Sequence, residues 1–296
     1  MKIVYILPLF LLLFLACHDE DNIKADLQTD KYNLADDPND PVQHFIHELY
    51  QKSGVVLITN PDTSHYVYNF NNPNSIHIVA PKQEKELLQK SVQFLAEVLF
   101  DLYDDNFKKN NFPFTILMAD EIQWWAFGEY DLFNAYSSTS FTAVANINDN
   151  LFTLDEATKR LYRGEINASL WSNYLYPRGA WKVKGAFYEF SKNDYGAFME
   201  AFFPEEAVLE AREYGFISYD PTTSETQNPD PDEWYFTAPT PEMDVQQYIQ
   251  FIFSSTQEEL DDLMEEYPVI GEKYVILRES IKESLNIDIF SFCVPS

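Results

Sequence analysis

An apolar stretch opens the chain and gives way to a polar, acidic one. Residues 3–15 are apolar apart from Tyr5 and Pro8, and Lys2 precedes them. The length of this stretch suits the core of a secretory signal peptide and falls short of the ~20 residues that span a bilayer. We therefore predict a signal peptide over residues 1–16, followed by an acidic, non-periodic tether over residues 17–40.

From residue 41 the pattern predicts a sheet-rich lobe that extends to about residue 152. Apolar positions at helical spacing predict a helix over Pro41–Lys52 and a long helix that begins at Pro81 and reaches Leu102. Short β-rich runs predict the strands, of which the first three are expected to pair in one sheet. The runs are Val55–Ile58, Tyr66–Tyr68, Ile76–Val79, Phe114–Met118 and Ala143–Ile147.

The second lobe, about residues 153–296, is predicted to be helical. Thr153 and Glu156 have the spacing of a capping box for a helix running to Leu175, and Thr256 with Glu259 has the same spacing. Prolines, acids and hydroxyl residues predict a long surface loop over residues 219–241, and apolar periodicity predicts helices over residues 241–253 and 269–286. Because no repeat interrupts residues 41–296, we predict one domain of the α+β class.

Composition excludes several classes of protein. Hydrophobic residues make up 46% and aromatic residues 16% of the chain, which is enough apolar surface to exclude global disorder. The 48 acidic residues outnumber the 20 Lys and Arg, and the net charge of −28 excludes a partner with a phosphate backbone, such as nucleic acid. Only Cys17 and Cys293 are present, at opposite ends, which excludes a disulfide scaffold and a cysteine-ligated zinc site.

The end of the apolar stretch resembles a bacterial lipoprotein signal. In the run Leu13-Phe14-Leu15-Ala16-Cys17, a small residue precedes a lone cysteine, as in the lipobox whose cysteine is acylated. The acidic run that follows, residues 18–21, resembles the surface-export signal of Bacteroides-type lipoproteins. The resemblance predicts a lipid anchor at Cys17 in the outer membrane, exposed at the cell surface. The alternatives are an ordinary signal peptide with an incidental cysteine, and a charged run that acts only as a spacer.

The order and character of the segments also resemble a known family. The matching pieces are residues 40–58, 76–103, 112–117, 215–218 and 283–288. They resemble the substrate-import-associated zinc metallohydrolase lipoproteins, a family of zinc-binding metallopeptidases encoded beside TonB-dependent outer-membrane importers. The resemblance implies a zincin-like α+β fold, a zinc cofactor, and as partners an importer and its substrate-binding lipoprotein.

The zinc motif of that family is incomplete in this sequence. Counting back from Tyr176-Pro177, the His-Glu-x-x-His motif falls on residues 164–168, so Glu165 remains but Gly164 and Ala168 replace the histidines. The downstream acidic motif falls on residues 243–247, where Asp244 matches and Gln247 replaces a glutamate. Gly and Ala offer no lone pair to a metal, and residues 78–296 contain no histidine, so we expect neither zinc nor catalytic residues here.

Two expectations about the motif helix follow from its spacing. Histidines introduced at Gly164 and Ala168 would lie one turn apart and would be expected to bind zinc. Glu165 is either an exposed carboxylate paired with Lys159, Arg160 or Arg163, or a buried remnant of the motif. Elsewhere, His44 and His47 are interpreted as a solvated or capping pair rather than a metal site, and His65 and His77 as structural residues.

Aromatic residues are the remaining candidates for binding. Trp124 and Trp125 begin the densest aromatic stretch, and Trp234 and Tyr235 form a second cluster beside the predicted loop. We expect these four to contact a peptide or glycan ligand, or a partner, near a groove between the lobes, although core packing is the alternative.

The function expected from these observations is that of a surface-anchored lipoprotein whose metallopeptidase-like domain has lost catalysis. It would act as a binding or accessory component of a TonB-dependent nutrient importer. An active hydrolase with an unrecognised site and a purely structural partner of the importer remain the alternatives.

Overall fold

The computed structural model describes residues 32–67, 76–126, 129–224 and 236–295 of the chain. Its helices are α1 (Pro41–Ser53), α2 (Lys85–Val98), α3 (Asp105–Asn111), α4 (Glu156–Ala168), α5 (Ala186–Glu189), α6 (Pro204–Glu213), α7 (Pro221–Ser224), α8 (Pro241–Ser254), α9 (Gln257–Glu266) and α10 (Pro268–Leu285). Its strands are β1 (Val56–Ile58), β2 (Ile76–Val79), β3 (Thr115–Met118), β4 (Glu121–Ala126), β5 (Glu129–Leu132), β6 (Ala135–Ser137), β7 (Phe141–Val144), β8 (Phe198–Met199) and β9 (Phe236–Thr237). This mixture confirms the α+β class.

The strands of the first lobe form two sheets, so the expectation that β1 and β2 pair is wrong. β1, β3 and β7 are parallel, and β6 adds to β7 as an antiparallel edge strand. β2, β4 and β5 form a separate antiparallel sheet. Burial explains the division: β3 and β7 are buried on both faces, as parallel strands are, whereas β2 alternates buried and exposed positions.

Two other predictions in this lobe are wrong. Tyr66 and Val67 do not continue a strand, because they follow a 3₁₀ turn, Thr63–His65, that Asp62 and His65 cap; Tyr68 lies outside the described residues. The strand predicted over Ala143–Ile147 ends at Val144, because Asn146 adopts a left-handed backbone with φ of 63°. The segment around Trp124 and Trp125 forms β4, which pairs with β5, a hairpin that the sequence analysis did not predict.

Helix boundaries also differ from the predicted ones. α2 begins four residues after Pro81, because the Gln83 side chain donates to the carbonyls of Pro81 (2.8 Å) and Thr59 (3.0 Å) and holds this segment outside the helix. A short 3₁₀ turn, Phe100–Leu102, replaces its expected last turn.

The two predicted capping boxes have different outcomes. The box at Thr256 and Glu259 is confirmed for α9. The box at Thr153 is wrong, since Asp155 caps α4 by accepting from the Thr158 amide (2.7 Å). The predicted end at Leu175 is reached through a π-helix, Ser169–Leu175, which continues α4.

The second lobe contains a small sheet in addition to its helices. β8 pairs with β9, and Phe236 of β9 is fully buried in a core cluster with Met199 and Phe216. Residues 219–241 are therefore not only a surface loop, although residues 225–235 lie outside the described part of the chain. Asp36–Ser296 forms one compact unit. Within the described residues, no helix has both the length and the apolar character needed to cross a membrane.

Candidate functional site

The helix that carries the motif packs closely against α8. A Cβ atom on Gly164 would lie 2.8 Å from the Gln250 carbonyl oxygen and 3.0 Å from Cβ of Ser254. One turn earlier in α4, Arg160 Nε donates to the Ser254 carbonyl at 2.7 Å, so the two helices run antiparallel. The position expected for the first zinc ligand is therefore filled by the backbone of α8, and glycine is what permits the contact.

The other motif positions are also occupied by packing. Ala168 is 0% exposed at the junction of α4 with the π-helix. The side-chain amide of Gln247 is held at both ends, because its oxygen accepts from the Ser218 amide (3.1 Å) and its nitrogen donates to the Tyr219 carbonyl (2.9 Å). In this structure Gln247 fastens the 218–219 segment to α8.

Glu165 is partly buried and contacts the sheet. Its carboxylate accepts a hydrogen bond from the side-chain amide of Asn134, the residue before the edge strand β6, and Asn134 accepts one from Asn146. Burial raises the pKa of Glu165 above its ordinary value, and the hydrogen bond from Asn134 offsets part of this rise. Glu165 is thus a carboxyl group that is easier to protonate than an exposed glutamate.

The cations predicted as partners of Glu165 are engaged elsewhere. Lys159 pairs with Glu97 (2.7 Å) and Glu156 (2.8 Å), and Arg160 pairs with Glu259. Arg163 donates to the Phe292 carbonyl at 2.7 Å. The interpretation of Glu165 as an exposed, cation-paired carboxylate is wrong, and the structure has the buried alternative.

Asp244 lies in a different buried cluster. Its Oδ2 accepts from Lys273 Nζ and from the Tyr195 hydroxyl, both at 2.7 Å, and the side chains of Asp244 and Lys273 are fully buried. Lys273 also donates to the Gly215 carbonyl (2.8 Å) and to the Ser191 hydroxyl (3.3 Å). Three acceptors match the three donors of an ammonium group, so we assign Lys273 as charged.

Burial dominates the electrostatics of this pair. It raises the pKa of Asp244 to about 6, although the attraction of Lys273 and the hydrogen bonds from Lys273 and Tyr195 act in the opposite direction. Burial also lowers the pKa of Lys273, against the attraction of Asp244. The ammonium lies 4.6 to 5.0 Å from three aromatic ring centres, those of Phe187, Tyr248 and Phe216, which stabilise a cation in an apolar site.

The backbone at Gly215 completes the cluster. Its carbonyl accepts from both Lys273 and the Tyr248 hydroxyl, each at 2.8 Å. Its φ of +80° is left-handed, and a Cβ atom there would lie 2.5 Å from Cγ1 of Val269. Only glycine fits this position without displacing its neighbours.

These residues do not fit a zinc ion. Gly164 and Ala168 have no donor atom, Gln247 is hydrogen-bonded at both ends, and Asp244 is neutralised by Lys273. Across residues 32–67, 76–126, 129–224 and 236–295, no group of three His, Cys, Asp or Glu residues could hold a metal ion. Two of the histidines serve other contacts: His44 Nδ1 lies 2.7 Å from Asp36, and His65 caps its own turn.

The predicted aromatic residues are exposed where the structure describes them. Trp124 is 37% and Trp125 46% exposed on β4, and the rings of Trp125 and Tyr130 lie 4.9 Å apart. Core packing, the alternative for these residues, is therefore wrong for Trp124 and Trp125. Trp234, Tyr235 and the predicted lipidation site Cys17 lie outside the described residues.

Several residues of these clusters were not identified from the sequence, among them Lys273, Tyr195 and Asn134. Lys273 carried a signal, since it lies between Ile270 and Leu277 on the apolar stripe of α10, where a lysine is out of pattern. Tyr195 and Asn134 carried none, because their roles depend on residues far away in the chain.

Comparisons with known proteins give a structural likeness. No protein-family model matches the chain, and no curated protein matches it significantly. The chain resembles a crystal structure described as "a putative zinc-binding metallo-peptidase" from Bacteroides caccae ATCC 43185, with a TM-score of 0.54, 12% identity, and coverage of 87% of this chain and 91% of that chain. A likeness at this identity shows the fold alone. The chain therefore has an α+β, zincin-like metallopeptidase fold.

Proposed function

We propose that the protein is a surface-anchored outer-membrane lipoprotein whose metallopeptidase-like domain binds rather than cleaves. It would serve as a binding or accessory component of a TonB-dependent nutrient importer, beside that importer's substrate-binding lipoprotein. The anchor would be a lipid on Cys17, and the ligand a peptide or a glycan.

The contact between Gly164 and Gln250 supports the loss of catalysis. It closes the space in which a histidine side chain would approach a metal, and Ala168 is buried at the second ligand position. On this proposal, a helix packed tightly against its neighbour stands where the resembled family has its ligand helix. Exposed Trp124 and Trp125 support a role in binding, because tryptophan side chains contact sugar rings and protein surfaces through large apolar faces.

Zinc content and peptide hydrolysis test the loss of catalysis. The purified full chain is first equilibrated with zinc, and unbound zinc is then removed by dialysis. It should retain far less than one zinc per chain and should not hydrolyse a mixed peptide library. About one tightly held zinc per chain, or hydrolysis abolished by a chelator, would contradict the proposal.

Co-purification tests the partners. The importer and its substrate-binding lipoprotein should be recovered with the wild-type protein from native membranes. Recovery should fall with the double substitution Trp124→Ala and Trp125→Ala if the protein stays folded. Full recovery with this variant, and no ligand bound, would favour a purely structural role.

One observation favours an alternative, a metal-free hydrolase. Glu165 is a partly buried carboxyl group with a raised pKa, as is typical of a general acid or base. In that case Glu165→Gln would abolish any hydrolysis that persists after metal removal. Unchanged activity in Glu165→Gln would exclude Glu165 as the catalytic group.

A further inference from the structure

Strand β5 is an exposed edge. It ends the three-stranded sheet β2-β4-β5, and all four of its residues, Glu129 to Leu132, are exposed. An exposed edge strand offers unpaired backbone groups to another chain, so proteins usually block such edges. β5 has neither a proline nor a lysine to block it.

The pairing of β4 with β5 shows which backbone groups face outward. The Phe133 amide donates to the Ile122 carbonyl at 2.9 Å, which makes these two residues a hydrogen-bonded pair of the antiparallel ladder. Hydrogen-bonded pairs alternate with non-hydrogen-bonded ones, so Tyr130, opposite Trp125, and Leu132, opposite Gln123, belong to the second kind. The N–H and C=O groups of Tyr130 and Leu132 therefore point away from β4, toward the edge that no other described strand covers.

The side chains of β5 separate by chemistry on the two faces of the sheet. Tyr130 and Leu132 lie on one face, and Trp125 packs beside Tyr130. Glu129 and Asp131 lie on the other face, and neither carboxylate has an ion-pair partner within the described chain. A strand added at this edge would place alternate side chains beside Tyr130 and Leu132 on one face and beside Glu129 and Asp131 on the other, where Trp124 lies opposite Asp131.

We infer that β5 binds an extended segment of a partner protein in which basic and apolar residues alternate, added to the sheet as a fourth strand. Its apolar side chains would contact Tyr130, Leu132 and Trp125, and its basic side chains would pair with Glu129 and Asp131. A second copy of this chain fits poorly, because it would bring Glu129 and Asp131 against the same acids in a protein of net charge −28. The inference rests on the proposed binding role and names the chemistry of the partner.

The probe is a capped hexapeptide of alternating lysine and valine, titrated against the purified full chain. Its matched control is the same peptide with glutamate in place of lysine. The lysine peptide should bind at least roughly tenfold more tightly, and added salt should weaken it. Glu129→Gln with Asp131→Asn should remove this preference. Equal binding of the two peptides, or a preference that survives the double substitution, would overturn the inference.

N-methylated peptides separate strand addition from simple charge attraction. In an added strand, the amides of every second residue face β5, so methylating either the lysine set or the valine set should abolish binding while methylating the other set should not. Equal effects of the two sets would overturn the inference. Leu132→Pro removes an outward amide and should weaken binding about tenfold, whereas Leu132→Ala keeps the amide and should weaken it less. If Leu132→Pro does not fold, binding of the methylated peptides to the wild-type protein still tests strand addition.

Failure of the strand addition at β5 can be distinguished from failure of the proposed function. Zinc-dependent hydrolysis would refute a non-catalytic role and leave the peptide preference intact. Loss of the peptide preference would refute only the strand addition at β5.

Discussion

Lys273 donates a hydrogen bond of 2.7 Å to Oδ2 of Asp244, and neither side chain is exposed to solvent. The pair joins α10 to α8, and the further bond from Lys273 to the Gly215 carbonyl joins both helices to the segment after α6. A buried ion pair pays a large desolvation cost, so removing one partner is far worse than removing both. The cluster is therefore expected to hold the helical lobe together.

Lys273→Met should lower the free energy of unfolding by about 3–5 kcal/mol, because Asp244 would remain buried without its counter-charge. Chemical denaturation at pH 7 measures this loss. Lys273→Met combined with Asp244→Asn should recover much of it, since the pair of charges is gone and Tyr195 keeps an acceptor. Lys184→Met is the matched control: its ion pairs with Glu279 and Glu283 are exposed, and the loss should stay below about 1 kcal/mol. Similar losses for the two single variants would contradict a buried, cooperative cluster.

The pH dependence of stability should carry the signature of Asp244. Its pKa in the folded state is about 6, above the ordinary value of 3.8. Between these two values the folded protein binds more protons than the unfolded chain, so this group makes the free energy of unfolding fall as the pH rises from about 4 to 6. Carboxylates with lowered pKa values, such as Asp155, contribute the opposite slope at lower pH.

The contribution of Asp244 appears in a difference between two proteins. The free energy of unfolding of wild type minus that of Asp244→Asn should decrease as the pH rises through this window. A difference that is flat or that increases with pH would mean that the pKa of Asp244 is not raised.

Gly164→Ala should destabilise the protein by about 1–3 kcal/mol, because the new Cβ would lie 2.8 Å from a backbone oxygen of Gln250 and the helices would have to separate. Gly185→Ala is the matched control, since no atom lies within 4 Å of its added Cβ and its φ of −54° suits alanine. This second variant should be neutral or slightly stabilised. Thermal unfolding measures the stability of both variants. Equal stability would show that the contact between α4 and α8 can accommodate the added methyl group.

Much of the secondary structure could be predicted from local sequence signals. The helices with clear periodicity and a proline at the start, α1, α8 and α10, begin within one residue of their predicted positions. The arrangement of strands could not be obtained in this way, because β1 pairs with β3, far along the chain, rather than with the nearby β2. Pairing partners depend on which faces are buried together, and a single sequence does not state that.

The candidate site, too, could be predicted only in part from the sequence. The absence of histidine at positions 164 and 168 was visible in the sequence, but its structural consequence was not. Gly164 became interpretable only once Gln250 was seen to lie against it, 86 residues further along the chain. Asp244 and Glu165 were both matched to motifs of the resembled family, yet the two residues have different partners, Lys273 and Asn134.

Lipidation of Cys17 is a separate prediction from the sequence. The wild-type protein, expressed in a bacterium that processes lipoproteins, should incorporate labelled palmitate and partition into detergent. Cys17→Ser should lose the label, since the thioether-linked lipid needs the thiol, whereas Cys293→Ser should keep it. Label that persists unchanged in Cys17→Ser would refute the anchor.

Introducing two histidines at Gly164 and Ala168 should not create a zinc site. Spacing alone favours a zinc pair in Gly164→His with Ala168→His, because the imidazoles would lie one turn apart. The structure opposes this, since Gly164 abuts Gln250 and Ala168 is fully buried, so two larger side chains must force α4 away from α8 or stay out of position.

We expect a destabilised protein with zinc affinity within about tenfold of the wild type by isothermal titration. Circular dichroism should confirm that the titrated protein is folded. Ala157→His with Leu161→His offers a matched exposed pair, one turn apart on the same helix, and should gain more zinc affinity than the buried pair. A folded Gly164→His, Ala168→His protein that binds zinc orders of magnitude more tightly than wild type would show that the contact between α4 and α8 can open enough to admit a metal ion.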